Sequence, residues 1–243
     1  MPTLGHEPAG IITPCSKSAS STSISLAPAP IVASNGQYFG SEAALQALLQ
    51  PLLNAATPQT MTIRTRSFIN AELDWASCSD VSRCHIGVPS AEIGRSDFLA
   101  KSDYVATPLP AAGIQVMIQK IEQRQNDPAL GGGSILLDAY GGAINRVPKN
   151  ATAFVHRDQL FSLQYVAATS TAADADWLRG FRAALAPYVS GQAYQNYIDP
   201  ELEHPNVAYY ATNLTRLRRV KARYDPKNVF RFPRSVLPAP APA

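Results

Sequence analysis

The sequence predicts an α+β fold in which a mostly antiparallel sheet carries helices on one face and leaves the other face to line a ligand site. Two strand-like segments, residues 134–142 and 159–168, alternate apolar and polar side chains and are bounded by turns. Amphipathic helices precede and follow them. A length of 243 residues, with 46% hydrophobic and 16% charged residues, is sufficient to bury a core.

The charge and the hydropathy pattern exclude several classes of protein from the prediction. A formal net charge of +3 is small for this length and indicates neither a nucleic-acid partner nor a membrane surface. No run of about twenty apolar residues is present, so no transmembrane helix is predicted. Residues 1–14 lack the basic start and apolar block of a secretory signal, and the sequence assigns no localisation.

The N-terminal part predicts a tail, a helix and a strand. Residues 1–37 are rich in Ser, Pro, Ala and Thr, which is typical of a disordered or linker-like tail. A helix is predicted after Ser41, because serine is a favoured N-cap residue and leucines follow it at helical spacing, namely Leu45, Leu48, Leu49 and Leu52. Residues 61–67 (MTIRTRS) alternate in the manner of a half-buried strand.

Two cysteines lie close together in a polar segment. Cys78 and Cys84 are six residues apart, a span that suits a small disulfide loop. Zinc binding is the alternative, since His85 follows Cys84, but neither a second CxxC nor a spaced His pair completes four ligands. Two free thiols are the remaining possibility. We predict the disulfide and no metal site.

The rest of the chain predicts alternating helices and strands. A helix is predicted over residues 111–125 from an apolar stripe, namely Ile114, Met117, Ile118 and Ile121. Three strands follow the glycines at 131–133: residues 134–142, 151–158 and 159–168. Two more helices are predicted, from about residue 174 to the 187–191 region and over residues 206–224.

The strands divide their side chains between two faces, because successive residues of a strand point in opposite directions. One face is polar or phenolic, with Asp138, Tyr140, Ser162 and Gln164. The other is largely apolar, with Ile135, Leu137, Ala139, Phe161, Leu163 and Tyr165. This division favours helices behind the apolar face and a ligand or a second domain in front of the polar face. A sheet that simply faces water is the alternative.

Several runs share their order and spacing with one family. Near the C-terminus these are YxNYxD (194–199), YYxxNxxRL (209–217) and VKxxYDPxxF (220–230). Upstream they are KSDYV (101–105), DAYGGAINRV (138–147) and TAFVHRDQLFSLQY (152–165). Together they resemble the berberine bridge enzyme-like oxidases, flavoproteins of the vanillyl-alcohol oxidase class, from about residue 38 to residue 236.

The resemblance implies the domain organisation. A tail (1–37) precedes a substrate-binding domain (38–192), a C-terminal segment that would contact FAD (193–236) and a second tail (237–243). Family members begin with a flavin-binding domain of about two hundred residues, a usual domain length. The sequence contains neither a glycine-rich phosphate loop nor a histidine in the context of covalent attachment. FAD would therefore be bound non-covalently or not at all, with a flavin-binding domain in cis or in trans as the partner.

The resemblance also implies an activity, in which an alcohol or sugar-like substrate gives a hydride to FAD and oxygen accepts the electrons. Tyr197 is at the position of the family's catalytic tyrosine, and a phenol with a pKa near 10 needs neighbours before it can act as a base. Asp138 and Tyr140 are at positions where relatives carry a second acidic or phenolic group. Asp138 could accept a proton relayed through Tyr197. Ser162 replaces the glutamate base of plant members.

Binding residues follow from the same resemblance. Asn196, Tyr194 and Gln164 are expected to contact the flavin, and Ser162, Gln164 and Tyr140 the substrate. Two other interpretations of the chain remain open. One is a cofactor-free module that binds a carbohydrate or a phenolic ligand, and the other is a nonfunctional truncated fragment. Retention of added FAD would distinguish the oxidase from both.

Overall fold

The computed structural model describes residues 30–240 and the strand Ile11–Thr13. Its strands are β1 (Ile11–Thr13), β2 (Asn35–Gln37), β3 (Leu99–Val105), β4 (Gly133–Ala139) and β5 (Phe161–Ala167). Its α-helices are α1 (Glu42–Ala55), α2 (Phe68–Ala76), α3 (Ala111–Asn126), α4 (Gly142–Arg146), α5 (Ala172–Leu185), α6 (Pro205–Tyr210) and α7 (Leu214–Tyr224). Most of the tail predicted at 1–37, and the last three residues of the tail predicted at 237–243, lie outside the described residues.

β3, β5 and β4 form an antiparallel sheet with β5 in the centre. Directly opposed residues of antiparallel strands share a face. One row across this sheet joins Tyr104, Ser162 and Asp138, and the neighbouring row places Ser102 beside Gln164. The polar face predicted for β4 and β5 is therefore shared by both strands and extended by β3, although Leu136 of β4 lies beside Gln164 in the second row.

The opposite face of the sheet packs against α3 and α5 and holds the main core. Its buried members are Val105, Leu163, Tyr165, Ala167, Trp177, Leu178, Phe181 and Leu185. Full burial of a large apolar side chain stabilises the fold by about 1.5–3 kcal/mol. Beside this core, Arg124 donates to Asp174 at 2.6 Å, and Asp174 also closes a capping box with Thr171 at the start of α5. The predicted α+β class is confirmed.

Residues 36–97 form a separate compact unit. Its first helix, α1, begins after Ser41, whose side chain accepts a hydrogen bond from the Ala44 N–H, as the sequence predicts. Cys78 and Cys84 are joined by a disulfide, with their Cα atoms 5.4 Å apart. The carboxylate of Glu92 accepts hydrogen bonds from Ser79 and ties the disulfide loop to the chain that follows it. No helix in the described part of the protein is long and apolar enough to cross a membrane.

Two predicted strands are wrong. Residues 61–67 are irregular, and Ser67 instead accepts a hydrogen bond from the Asn70 N–H as the N-cap of α2. Alternating apolar and polar residues are typical of a half-buried strand, but the backbone of a strand must also form hydrogen bonds with a neighbouring strand. This segment pairs with none of the described strands. Residues 151–158 form turns and irregular chain. One of their two buried members, His156, is held by the Gln192 side chain and the Tyr209 carbonyl group rather than by a neighbouring strand.

The helix predicted over residues 206–224 is interrupted. A short 3₁₀ turn with Ala211 at a φ of 38° separates α6 from α7. Asn213 is buried in this turn and donates to the carbonyl oxygens of Lys149 and Thr152 at 2.6 and 3.2 Å. These bonds reach a distant part of the chain, which explains why helical periodicity does not predict the break.

Candidate functional site

The polar face of the sheet carries a row of hydroxyl and carboxyl groups, which we call the site floor: Tyr104, Ser162 and Asp138. Ser162 is central, and its hydroxyl donates to Asp138 Oδ2 at 3.5 Å. Tyr104 lies on the other side of Ser162 and is fully buried. Burial raises the pKa of the Asp138 carboxyl, although the Ser162 hydrogen bond opposes this.

Tyr140 stands one residue beyond β4 and extends the floor. Its N–H donates to the Leu160 carbonyl oxygen at 2.7 Å, which continues the strand pairing. Its hydroxyl lies 3.0 Å from that of Tyr104, and the two rings meet edge to face with centroids 5.3 Å apart. Burial is the main cause that raises the pKa of Tyr140. Two connected phenols, both protonated at neutral pH, thus lie beside the carboxylate.

A loop of the C-terminal segment supplies the remaining side chains. The Tyr194 N–H donates to the Ser102 hydroxyl at 3.1 Å, and the Tyr197 N–H donates to the Tyr194 carbonyl oxygen at 2.9 Å. The rings of these tyrosines meet edge to face at 4.9 Å, and Asn196 Nδ2 donates to the Tyr194 hydroxyl at 2.8 Å. Phe154, 6.3 Å from the Tyr194 ring, continues the aromatic wall.

Electrostatic coupling links Tyr197 to the floor. Burial raises the pKa of the Tyr197 phenol most, and the charge of Asp138 raises it further, followed by Tyr194 and Tyr140. A series of ring contacts also connects Tyr197 to Tyr140: the centroids of Tyr197 and Tyr194 lie 4.9 Å apart, those of Tyr194 and Phe154 6.3 Å, and those of Phe154 and Tyr140 6.2 Å. Asp138 lies two residues before Tyr140 along the chain. A phenol with a pKa above its ordinary value near 10 stays protonated at neutral pH. Asp138 is therefore the better proton acceptor of the three.

The residues predicted to bind ligands lie on the same side of the sheet. Gln164 is half-buried in the row next to Ser162. Asn196 is exposed and donates a hydrogen bond to the Tyr194 hydroxyl. The buried Gln195 Oε1 has no hydrogen-bond partner among the described residues. Neutral amides and phenols suit the polar edge of a flat heteroaromatic ring better than a phosphate. In residues 30–240, no group of three metal-ligating side chains is present.

Tyr104, Ser102 and Phe154 also belong to this site, although the sequence analysis does not select them. The first two lie on β3, which apolar periodicity does not predict because Lys101 and Asp103 are buried in it. The available signal was the alternation within KSDYV, which separates a hydroxyl-bearing face from a charged one.

Comparisons with known proteins relate the chain to berberine-like proteins and to FAD-linked oxidoreductases. The "Berberine and berberine like" family model matches residues 193–237. The uncharacterized FAD-linked oxidoreductase YgaK of Bacillus subtilis is 32% identical over 207 residues, which is 84% of this chain and 42% of YgaK. The chain thus spans less than half the length of this relative.

Solved structures share the fold. The wild-type BBE-like 1 protein of Physcomitrella patens superposes with a TM-score of 0.74 at 29% identity, over 93% of this chain and 46% of that one. A glycopeptide hexose oxidase complexed with teicoplanin superposes with a TM-score of 0.53 at 28% identity, over 59% of this chain and 33% of that one.

Proposed function

Because this chain is similar to berberine bridge enzyme-like proteins and its match to YgaK covers less than half of that relative, we propose that it forms the substrate-binding and C-terminal part of an FAD-dependent oxidoreductase. Its substrate is an alcohol or a sugar-like molecule, which the similarity to a hexose oxidase favours. The observation that supports the proposal is the series of ring contacts from Tyr197 through Tyr194 and Phe154 to Tyr140, which lies two residues from Asp138. Bound FAD would supply the hydride acceptor for the substrate carbon, with oxygen as the final electron acceptor.

The residues of this chain handle the proton that the substrate hydroxyl loses. Tyr197 takes this proton while passing its own to Asp138, so that a phenolate with an unfavourably high pKa does not accumulate. The Ser162 hydroxyl orients the Asp138 carboxylate. Tyr140, backed by Tyr104, is placed to hold a second oxygen of the substrate.

The same face fits the ring of FAD rather than its diphosphate. Asn196, Tyr194 and Gln164 offer amide and phenol groups, and the unpartnered Gln195 Oε1 leaves one acceptor unsatisfied. A flavin-binding domain, in the same polypeptide or in a separate one, would hold the rest of the cofactor. Oxygen and a small-molecule substrate complete the set of partners.

The test is reconstitution with a flavin-binding partner. The chain is co-expressed with the part of YgaK that the similarity leaves uncovered, and the complex is isolated by gel filtration. We expect flavin absorbance to co-elute with the chain and hydrogen peroxide to form with aldoses or primary alcohols.

Two tyrosine variants make the test specific. Tyr197→Phe should abolish peroxide formation while flavin is retained, whereas Tyr224→Phe, which alters an exposed phenol outside the site, should have no effect. Undiminished oxidation by Tyr197→Phe would refute the assigned chemistry. Binding of sugars or phenols by the chain alone, with no flavin retained in the complex, would instead establish a cofactor-free binding module.

A further inference from the structure

The loop that carries Tyr197 follows the edge of β3 that does not pair with β5. The Ser190 N–H donates to the Tyr104 carbonyl oxygen at 2.8 Å, and the Tyr194 N–H donates to the Ser102 hydroxyl at 3.1 Å. Ser102 belongs to the polar face, so this contact holds the start of the loop over the candidate site.

The end of the loop is held from the opposite face of the sheet. Lys101 precedes Ser102, and adjacent strand side chains point to opposite faces. Lys101 Nζ donates to both carboxylate oxygens of Asp199, at 3.1 and 3.0 Å. The chain from Tyr194 to Asp199 therefore passes around the β3 edge, with Tyr197 between its two anchors.

This second anchor is a buried ion pair. Lys101 is 6% exposed and Asp199 is 3% exposed. The Asp199 N–H also donates to the Tyr209 hydroxyl at 2.9 Å, and Glu201 approaches Lys101 Nζ to 2.8 Å. A buried charge needs a partner in a defined position, because an unpaired one is strongly unfavourable. The pair consequently restricts where the loop can end far more strictly than an apolar contact would.

We propose that Lys101 is a positioning residue for Tyr197, acting through Asp199 to hold the loop that presents this phenol to Asp138 and the substrate. The inference rests on the proposed function for its consequence in catalysis, but its structural content concerns the placement of Tyr197 and can be measured without flavin or turnover.

The experiment follows the Tyr197 ring by fluorine NMR in the full chain labelled with fluorotyrosine, with the signal assigned by its absence in Tyr197→Phe. In Lys101→Met, this signal should move towards that of an exposed ring. Its pH midpoint should fall towards the value of free fluorotyrosine, because the phenol leaves Asp138 and Tyr140. Lys101→Arg, which keeps the charge, should restore the parent behaviour.

Arg124→Met is the matched control. It breaks the ion pair with Asp174, which is equally buried beside the core but does not touch the loop. It should lower stability and leave the Tyr197 signal unchanged. Should Lys101→Met fail to fold, Lys101→Met combined with Asp199→Leu removes both buried charges and carries the same prediction. A Tyr197 signal that is unchanged in the folded Lys101 variant, single or double, overturns the proposal.

Turnover by the reconstituted oxidase gives an independent readout. Since displacement of a reacting group by about 1 Å can cost about a hundredfold in rate, Lys101→Met should lower kcat by about that factor and change KM little. The failure of the two proposals is distinguishable. Undiminished oxidation by Tyr197→Phe refutes the assigned function, whereas an immobile Tyr197 signal refutes only the role of Lys101.

Discussion

Asp138→Asn separates two ways in which the site could remove a proton. The substitution keeps the size of the side chain and removes its charge. In the proposed relay the carboxylate is the terminal acceptor, so an amide in its place stops proton transfer. If Tyr197 acted alone, the same substitution would lower the Tyr197 pKa, because the Asp138 charge raises it. The two mechanisms therefore predict opposite changes in rate at neutral pH.

The expected size of the effect follows from the state of the phenol. An ordinary phenol with a pKa near 10 is ionised in about one molecule in a thousand at pH 7. Burial and Asp138 raise the pKa of Tyr197, so its ionised fraction is smaller still. Positioned general bases contribute about 10²–10⁴-fold to rate. We expect Asp138→Asn to lower the rate of substrate oxidation by about a thousandfold, within this range.

The assay is anaerobic reduction of the flavin by substrate in the reconstituted complex, followed by its absorbance in a stopped-flow instrument. Asp158→Asn is the matched control, since it removes the same charge from an exposed ion pair with Lys149, worth at most about 1 kcal/mol. It should leave the rate unchanged. A rate for Asp138→Asn that equals or exceeds that of the parent would show that Tyr197 needs no carboxylate.

Three further predictions concern pH, stability and the disulfide. Because burial raises the pKa of Asp138 above its ordinary value of about 4, the carboxylate should become protonated, and the parent's oxidation rate should fall, before the pH has dropped to about 4. The oxidation rate of Asp138→Asn should lack this decrease at acidic pH. Burial also raises the pKa of Asp103 to about 6 in the folded chain, so ionisation there opposes folding as the pH rises. In urea titrations, the free energy of unfolding of Asp103→Asn relative to that of the parent should increase by up to about 3 kcal/mol between about pH 4 and pH 6. A difference that does not depend on pH would contradict the burial argument. Replacing Cys78 and Cys84 together by Ser should cost residues 36–97 about 2 kcal/mol from the loss of a short closed loop. Amide hydrogen exchange measures this loss, and equal protection in the variant would exclude a stabilising role for the disulfide.

The predicted elements that the structure confirms are those with a strong local pattern. The alternation of Asp138 with its apolar neighbours predicts both the strand β4 and its polar face. The leucines after Ser41 likewise predict α1 together with its N-cap. The strand predicted at residues 61–67 failed because a partner strand is a long-range requirement that alternation does not contain.

The sequence by itself determined the faces of β4 and β5, the amphipathic helices that cover the apolar face, and the order of the motifs that resemble berberine bridge enzyme-like oxidases. Only the tertiary structure decided that ring contacts connect Tyr197 to Tyr140 and that Tyr104 and Ser102 join the site from β3. The physical reason is that side-chain periodicity is a property of one segment, whereas these contacts depend on groups distant in sequence. The bond of Lys101 to Asp199 is such a contact. A sequence pattern predicts that two charged residues are exposed, whereas in the folded chain both are buried and paired with each other.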